Sequence, residues 1–195
     1  GRFEEVVDEH SLIISEVMAA NVAAVPSPDG RFLDWVEIEN RGERSRSLTG
    51  YRLRDLRSGL ELVFGMDVVL GPGERRVWWH SPDRTDPGGF PFGLDRSGDA
   101  MVLVDEQGNR VDAVEFGPQP QDYSLSRKDD RSWTLGHPTP GDRNRSVPLG
   151  DSGSLRINEL LANPRSDGVD WVELVNTDSL QPVPTGDLLV QQGFR

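Results

Sequence analysis

The chain has 195 residues, 35% of them hydrophobic, with 21 glycines, 14 prolines and a net charge of −12, which suits one or two domains of short elements joined by many turns. No apolar run approaches the roughly 20 residues of a membrane-spanning helix. An acidic chain whose arginines are scattered beside Asp or Glu, as in RLRDLRSG and SRKDDRS, lacks the basic patch that direct nucleic-acid binding needs. The absence of cysteine rules out disulfides, thiolate metal sites and Cys nucleophiles together.

Residues 1–10, GRFEEVVDEH, read as an N-terminal extension with at most one helical turn and no apolar signal-peptide core. Gly1 in place of an initiator Met points to a mature or trimmed chain. Alternating, β-branched runs then predict strands at 11–19, 32–40, 48–55, 60–64, 66–70, 74–80, 99–105, 110–117 and 123–128. PSPDG, GPG, DPGG and EQGN supply the turns between them. Such a succession indicates an all-β sandwich or barrel spanning 11–145. Residues 137–154 are rich in Pro, Gly, Ser and Asp, so the domain ends there and 146–154 form a linker.

After the linker the pattern restarts. ISEVMA at 14–19 returns as INELLA at 157–162, and DWVEIEN at 34–40 returns as DWVELVN at 170–176. Two matched segments in the same order mark an internal repeat, with 155–195 as a partial second module. Two or three strands cannot close a sandwich core, so the natural chain is expected to continue beyond Arg195.

The repeated heptad raises the question of a site. Strand alternation puts Val36 and Ile38 on one face, the core, and Trp35, Glu37 and Glu39 on the other, under a loop. Glu16 falls between Ile14 and Met18 in the alternation, which predicts partial burial with a hydrogen-bonded partner. Glu16 with Glu37 has the composition of an acid–base pair. Yet the marked residues of the heptad and Glu16 recur: Glu16 as Glu159, Asp34 as Asp170, Trp35 as Trp171, Glu37 as Glu173 and Asn40 as Asn176, while Glu39 becomes Val175. An active site need not be copied into a second domain, whereas a structural device is copied with the fold. They therefore read first as a structural signature, then as an ion site, and last as catalytic. Asp29 and Asp34 in PSPDGRFLD are the calcium candidates, although no DxDxDG-type loop occurs. Trp78 and Trp79 point to opposite faces, one to the core and the other exposed or covered by a loop; if exposed, that ring is a candidate ligand or partner surface, although core or interface packing is favoured. His10, His80 and His137 lack metal-ligand spacing, and neither a GxSxG elbow nor a phosphate loop is present.

Taken in order, several of these segments resemble the lamin tail domain family in its bacterial form: IISEVMAAN, DWVEIEN, SLTGYRLRD with Gly50, VLGPGERRVW, VDAVEFG, YSLSRKDD and HPTPGDRN. Residues 155–190 resemble the start of a second copy. The resemblance implies an immunoglobulin-like β-sandwich without catalytic residues or a required cofactor. It further implies a structural or interaction module of a bacterial secreted or cell-envelope protein, whose partners are other chains, other domains or sheet edges of like copies. The alternatives it leaves are an accessory domain of an extracellular nuclease, hydrolase or kinase, and a carbohydrate- or calcium-binding module using Trp35, Trp78 or Trp79. No heptad rod and no CaaX box accompany the segments, so nuclear filament roles do not carry over.

Overall fold

The computed structural model describes residues 11–81, 83, 88–162, 168–183 and 185. The expected extension at 1–10, the first half of the DPGG turn and any strand beyond 185 lie outside them. The chain divides into two units, Gly1–Ser146 and Val147–Arg195.

The first unit is a β-sandwich of immunoglobulin-like type. Its larger sheet contains β1 (Leu12–Met18), β2 (Trp35–Asn40), β7 (Arg75–His80), β8 (Gly89–Phe90), β11 (Ser124–Arg127), β12 (Trp133–His137) and β13 (Arg145–Ser146). They run in the order β13-β12-β11-β1-β2-β7-β8, antiparallel except for β7 with β8. The facing sheet contains β4 (Arg52–Asp55), β5 (Glu61–Val63), β9 (Asp99–Val104) and β10 (Arg110–Phe116), in the order β10-β9-β4-β5. A short pair, β3 (Arg46–Ser47) with β6 (Val69–Leu70), stands apart.

Alternation supplies the core. Ile14, Val17, Val36 and Ile38 from the larger sheet meet Leu53, Met101, Leu103 and Val114 from the other, and all eight are buried. The sheets are also tied by charge. Asp112 of β10 accepts a 2.8 Å hydrogen bond from the Ile14 amide of β1 and pairs with the guanidinium of Arg127 on β11 at 2.9 Å. That guanidinium lies 4.4 Å over the Trp133 ring.

Several expected strands are shortened for local reasons. The run 66–70 keeps only Val69–Leu70, because Asp67 adopts a left-handed φ of 74° and turns the chain. The run 48–55 begins at Arg52. Residues 48–51 form a turn in which Tyr51 N–H donates to Leu48 O, with Gly50 at φ 78°. β12 was not expected, since WTLGH has a glycine where a strand would place a side chain. Gly136 is needed there: a Cβ would stand 2.8 Å from the Ser126 Cβ and 3.0 Å from the Ser124 hydroxyl.

Among the described residues the second unit holds one hairpin, β14 (Leu155–Leu161) with β15 (Trp171–Asn176), entered by a 3-10 turn at Ser152–Ser154 capped by Asp151. Its apolar side chains lie in solvent, including Ile157, Leu160, Val172 and Leu174. Each would contribute about 1.5–3 kcal/mol if buried. The same position should therefore respond differently in the two units. Ile38→Ala is expected to cost about 2–5 kcal/mol. Its counterpart Leu174→Ala should stay within about 0.5 kcal/mol. Chemical denaturation of both variants measures the difference, and equal losses would mean that the second hairpin has a core of its own.

Candidate functional site

The signature residues converge on the outer face of the larger sheet, at its centre. β1 carries a bulge: Ile14 pairs with Ile38 and Glu16 with Glu37, leaving Ser15 as the extra residue. The bulge changes the side-chain parity. Ile14 and Val17 both reach the core, while Glu16 and Met18 turn away from it. Glu16 therefore does not share the face of Ile14, as uninterrupted alternation predicted, and it is fully rather than partly buried.

Glu16 and Glu37 stand side by side on adjacent strands. The Glu16 carboxyl accepts from the hydroxyls of Ser124, Ser126 (3.1 Å) and Thr139 (3.0 Å) and from the Thr139 amide. The Glu37 carboxyl accepts from the Ser15 hydroxyl at 2.6 Å and the Gly141 amide at 2.7 Å, with the Arg75 Nε 3.8 Å away. Thr139, Gly141 and Asn144 belong to the segment PTPGDRN, which crosses this face as a strap. Asn144 fastens it by donating to the carbonyls of Ser15 and Arg127 at 2.8 and 2.9 Å. Sequence reasoning placed these residues at a domain end. Their side-chain types, hydroxyl, Gly and Asn, were the only signal of the role.

Burial pushes the Glu16 carboxyl above its ordinary range, against the pull of its hydroxyl and amide donors. It pushes Glu37 up to about 7, again through burial first, with the neighbouring Glu16 adding to it. A carboxyl that titrates near neutrality suits general acid–base work. Here it has no opening to a substrate, since both side chains are covered by the strap and spent on internal donors. Structural networks perturb titration in the same way.

The other signature residues are also internal. Asn40 donates to the carbonyls of Arg44, Leu70 and Gly71 and accepts from the Gly42 amide, knitting the turn after β2 to β6. Asp34 accepts from the Leu94 amide at 3.1 Å, and burial raises its carboxyl. Asp29 is exposed and bound to Ser27 and Arg31. The two calcium candidates are thus committed to different protein partners. Among the described residues no three His, Asp or Glu side chains gather as ion ligands do. Trp78 and Trp79 divide as alternation expected, Trp78 in the core and Trp79 away from it, but two of the three ligand candidates are enclosed. Trp35 is fully buried, and Trp78 packs edge-on against Phe64 at 4.9 Å, so neither offers a ring face to a ligand. Trp79 is half-buried, tilted against Trp35 at 6.0 Å. His80 lies beside Phe90 and His137 beside Tyr123, while His10 falls outside the described residues.

In the second hairpin Glu159, Trp171, Glu173 and Asn176 are exposed, and Asp170 precedes β15. Asn158, in the place of Ser15, donates to Glu173.

One surface feature escaped the sequence. A cleft of about 360 Å³ is lined by Arg41, Arg75, Arg127, Lys128 and Arg143 together with Asp129 and Asp130. Cations separated along the chain do converge, contrary to the expected scatter. The expected mixing with acids also holds: Arg41 and Arg75 pair with Glu39, Arg127 with Asp112 and Arg143 with Asp129.

The sequence model described as Lamin Tail Domain matches residues 7–118, in one copy. That span takes in β1 to β10 and stops before β11, the strap and the second hairpin. No curated protein matches the chain. Among the described residues no helix is long and apolar enough to cross a membrane.

The raised Glu37 carboxyl gives a pH dependence with a definite sign. Between pH 4.5 and about 7 the folded protein holds a proton that the unfolded chain has released. The stabilisation is complete below that window and is lost as pH rises through about 7, an effect of about 3 kcal/mol. Denaturation midpoints should fall from pH 5 to pH 8, and Glu37→Gln, which mimics the protonated form, should flatten that slope. An unchanged slope in the variant would assign it to other groups.

Proposed function

The chain belongs to the lamin tail domain family, a family of non-enzymatic immunoglobulin-like domains, and we propose that it works as a structural and protein-interaction module. The host we propose is a bacterial secreted or cell-surface protein of several domains. The observation that supports this reading is the fate of the signature carboxylates. Glu16 and Glu37 have the residue types and titration of a reactive pair, yet both are enclosed and satisfied within the sandwich. The residues that the sequence marks most strongly therefore build the module rather than act on a ligand. Contact with other molecules falls to its surfaces and sheet edges, as for other sandwich modules that space domains or recruit chains.

A deletion within the native polypeptide tests the reading. Removing residues 11–146 should abolish recovery of its specific protein partners while leaving the activity of any neighbouring catalytic domain intact. Protease treatment of intact cells, or assay of the medium, should find the module outside the cytoplasmic membrane. Loss of catalysis with unchanged partner recovery would instead make it an accessory domain of an enzyme. A module confined to the cytoplasm would overturn the proposed location.

A further inference from the structure

The cationic cleft beside the strap draws on four separate stretches of chain. Arg41 follows β2, Arg75 opens β7, Lys128 follows β11 and Arg143 lies in the strap. Its charges do not balance. Glu39 is shared by two guanidiniums, accepting from Nε of Arg41 at 2.9 Å and from Nη2 of Arg75. Nη1 of Arg41 turns instead to the carbonyl of Lys128 at 3.1 Å. Among the described residues, Nη2 of Arg41, Nη1 of Arg75 and the Lys128 ammonium have no hydrogen-bond partner. Neither of the two guanidinium nitrogens is enclosed, and Lys128 is exposed. The pair of Arg143 with Asp129 is 77% and 84% exposed, so solvent screens it and Arg143 can turn inward. Burial first, and then the positive charges of Arg41 and Arg131, pull the neighbouring Arg127 guanidinium below its usual range.

These unmet donors are the kind that a carboxylate takes, since the planar guanidinium fork matches its two oxygens. Glu39 already offers one carboxylate to Arg41 and Arg75 from within, and a second from outside would complete the set. The acids of the cleft narrow the class of ligand. Asp129 and Asp130 line it as well, and the whole chain carries a charge of −12. A phosphate polymer bears a charge at every step and meets that repulsion along its length. A lone acid flanked by bases does not, because its neighbours are attracted to Asp129 and Asp130. The volume of about 360 Å³ lies near the lower end for ligand clefts, which suits one or two side chains. The cleft also reaches Ser146 of β13, the exposed last strand in the order of the larger sheet, where an extended main chain can lie.

We propose that this cleft docks a peptide segment of a partner protein in which an Asp or Glu stands between Lys or Arg residues. Arg41 and Arg75 receive the carboxylate, Lys128 and Arg143 draw it in, and Asp129 with Asp130 hold the flanking bases. The inference rests on the reading of the chain as a protein-interaction module and names one surface of it.

A titration of the ¹⁵N-labelled 195-residue chain with the capped peptide Ser-Lys-Glu-Lys-Ser tests it by NMR. Shifts should gather at Arg41, Arg75, Lys128, Asp129 and Arg143, with a Kd on the order of 1 mM. The peptide with Gln in place of Glu should bind at least about tenfold more weakly, and added salt should weaken the parent peptide. Lys128→Glu combined with Arg143→Glu alters only exposed side chains, so the fold is kept while binding falls at least about tenfold. Arg31→Glu, near the opposite end of β2, should leave it unchanged. No shifts at the cleft, or equal shifts with the Gln peptide, overturn the inference. Tighter binding of inorganic polyphosphate than of the peptide overturns it too and makes the cleft a general anion site. The module reading fails separately: it falls if deleting 11–146 leaves partner recovery intact, whatever the titration shows. Lost recovery on that deletion with no shifts in the titration keeps the module and discards the cleft.

Discussion

Glu16 and Glu37 stand opposite one another on the two central strands of the larger sheet, shielded from water. A buried carboxylate without partners costs several kcal/mol, and two side by side repel as well. Much of the first unit answers that demand. Ser15 is available because β1 bulges there; Ser124 and Ser126 fit because Gly136 on the next strand leaves them room. Thr139 and Gly141 reach the pair because the chain, after its last long strand, folds back across the sheet. Remove the carboxyls and the bulge, the hydroxyl strand, the glycine and the strap lose their common purpose.

The opposite face depends on ordinary burial, joined to the first by Asp112. That carboxylate receives the Ile14 amide and the Arg127 guanidinium, so the edge of the second sheet is held to β1 at the turn of its register. The cations near the strap are held in the same economy of local pairs. Such pairs near the surface contribute little individually and serve mainly to fix side-chain positions.

How much was legible in the sequence follows from range. Val36 and Ile38 in the core, Glu37 beneath a loop, and the sandwich class all come from alternation within a few residues, and the structure agrees. Glu16 was assigned the wrong parity, since a bulge is decided by the partner strand rather than by the strand that bears it. The strand at Trp133–His137 was missed because its glycine is explained only by two serines on a neighbouring strand. PTPGDRN looked like a domain end, and in local terms it is one. Its function as a cover depends on carboxyls more than a hundred residues earlier. Alternation put one of Trp78 and Trp79 in the core without saying which; it is Trp78, set edge-on to Phe64 across the core.

The strap also sets a timetable. Thr139 meets Glu16 at a sequence separation of 123 and Asn144 meets Ser15 at one of 129. On a ribosome or at a translocation pore, where the N-terminus emerges first, the opening hairpin must wait for almost the whole module before its acids find donors. Local contacts cannot finish the task early, and closing so long a loop is slow. The sandwich thus has a built-in completion step: its first strands stay chemically unfinished until its last loop arrives.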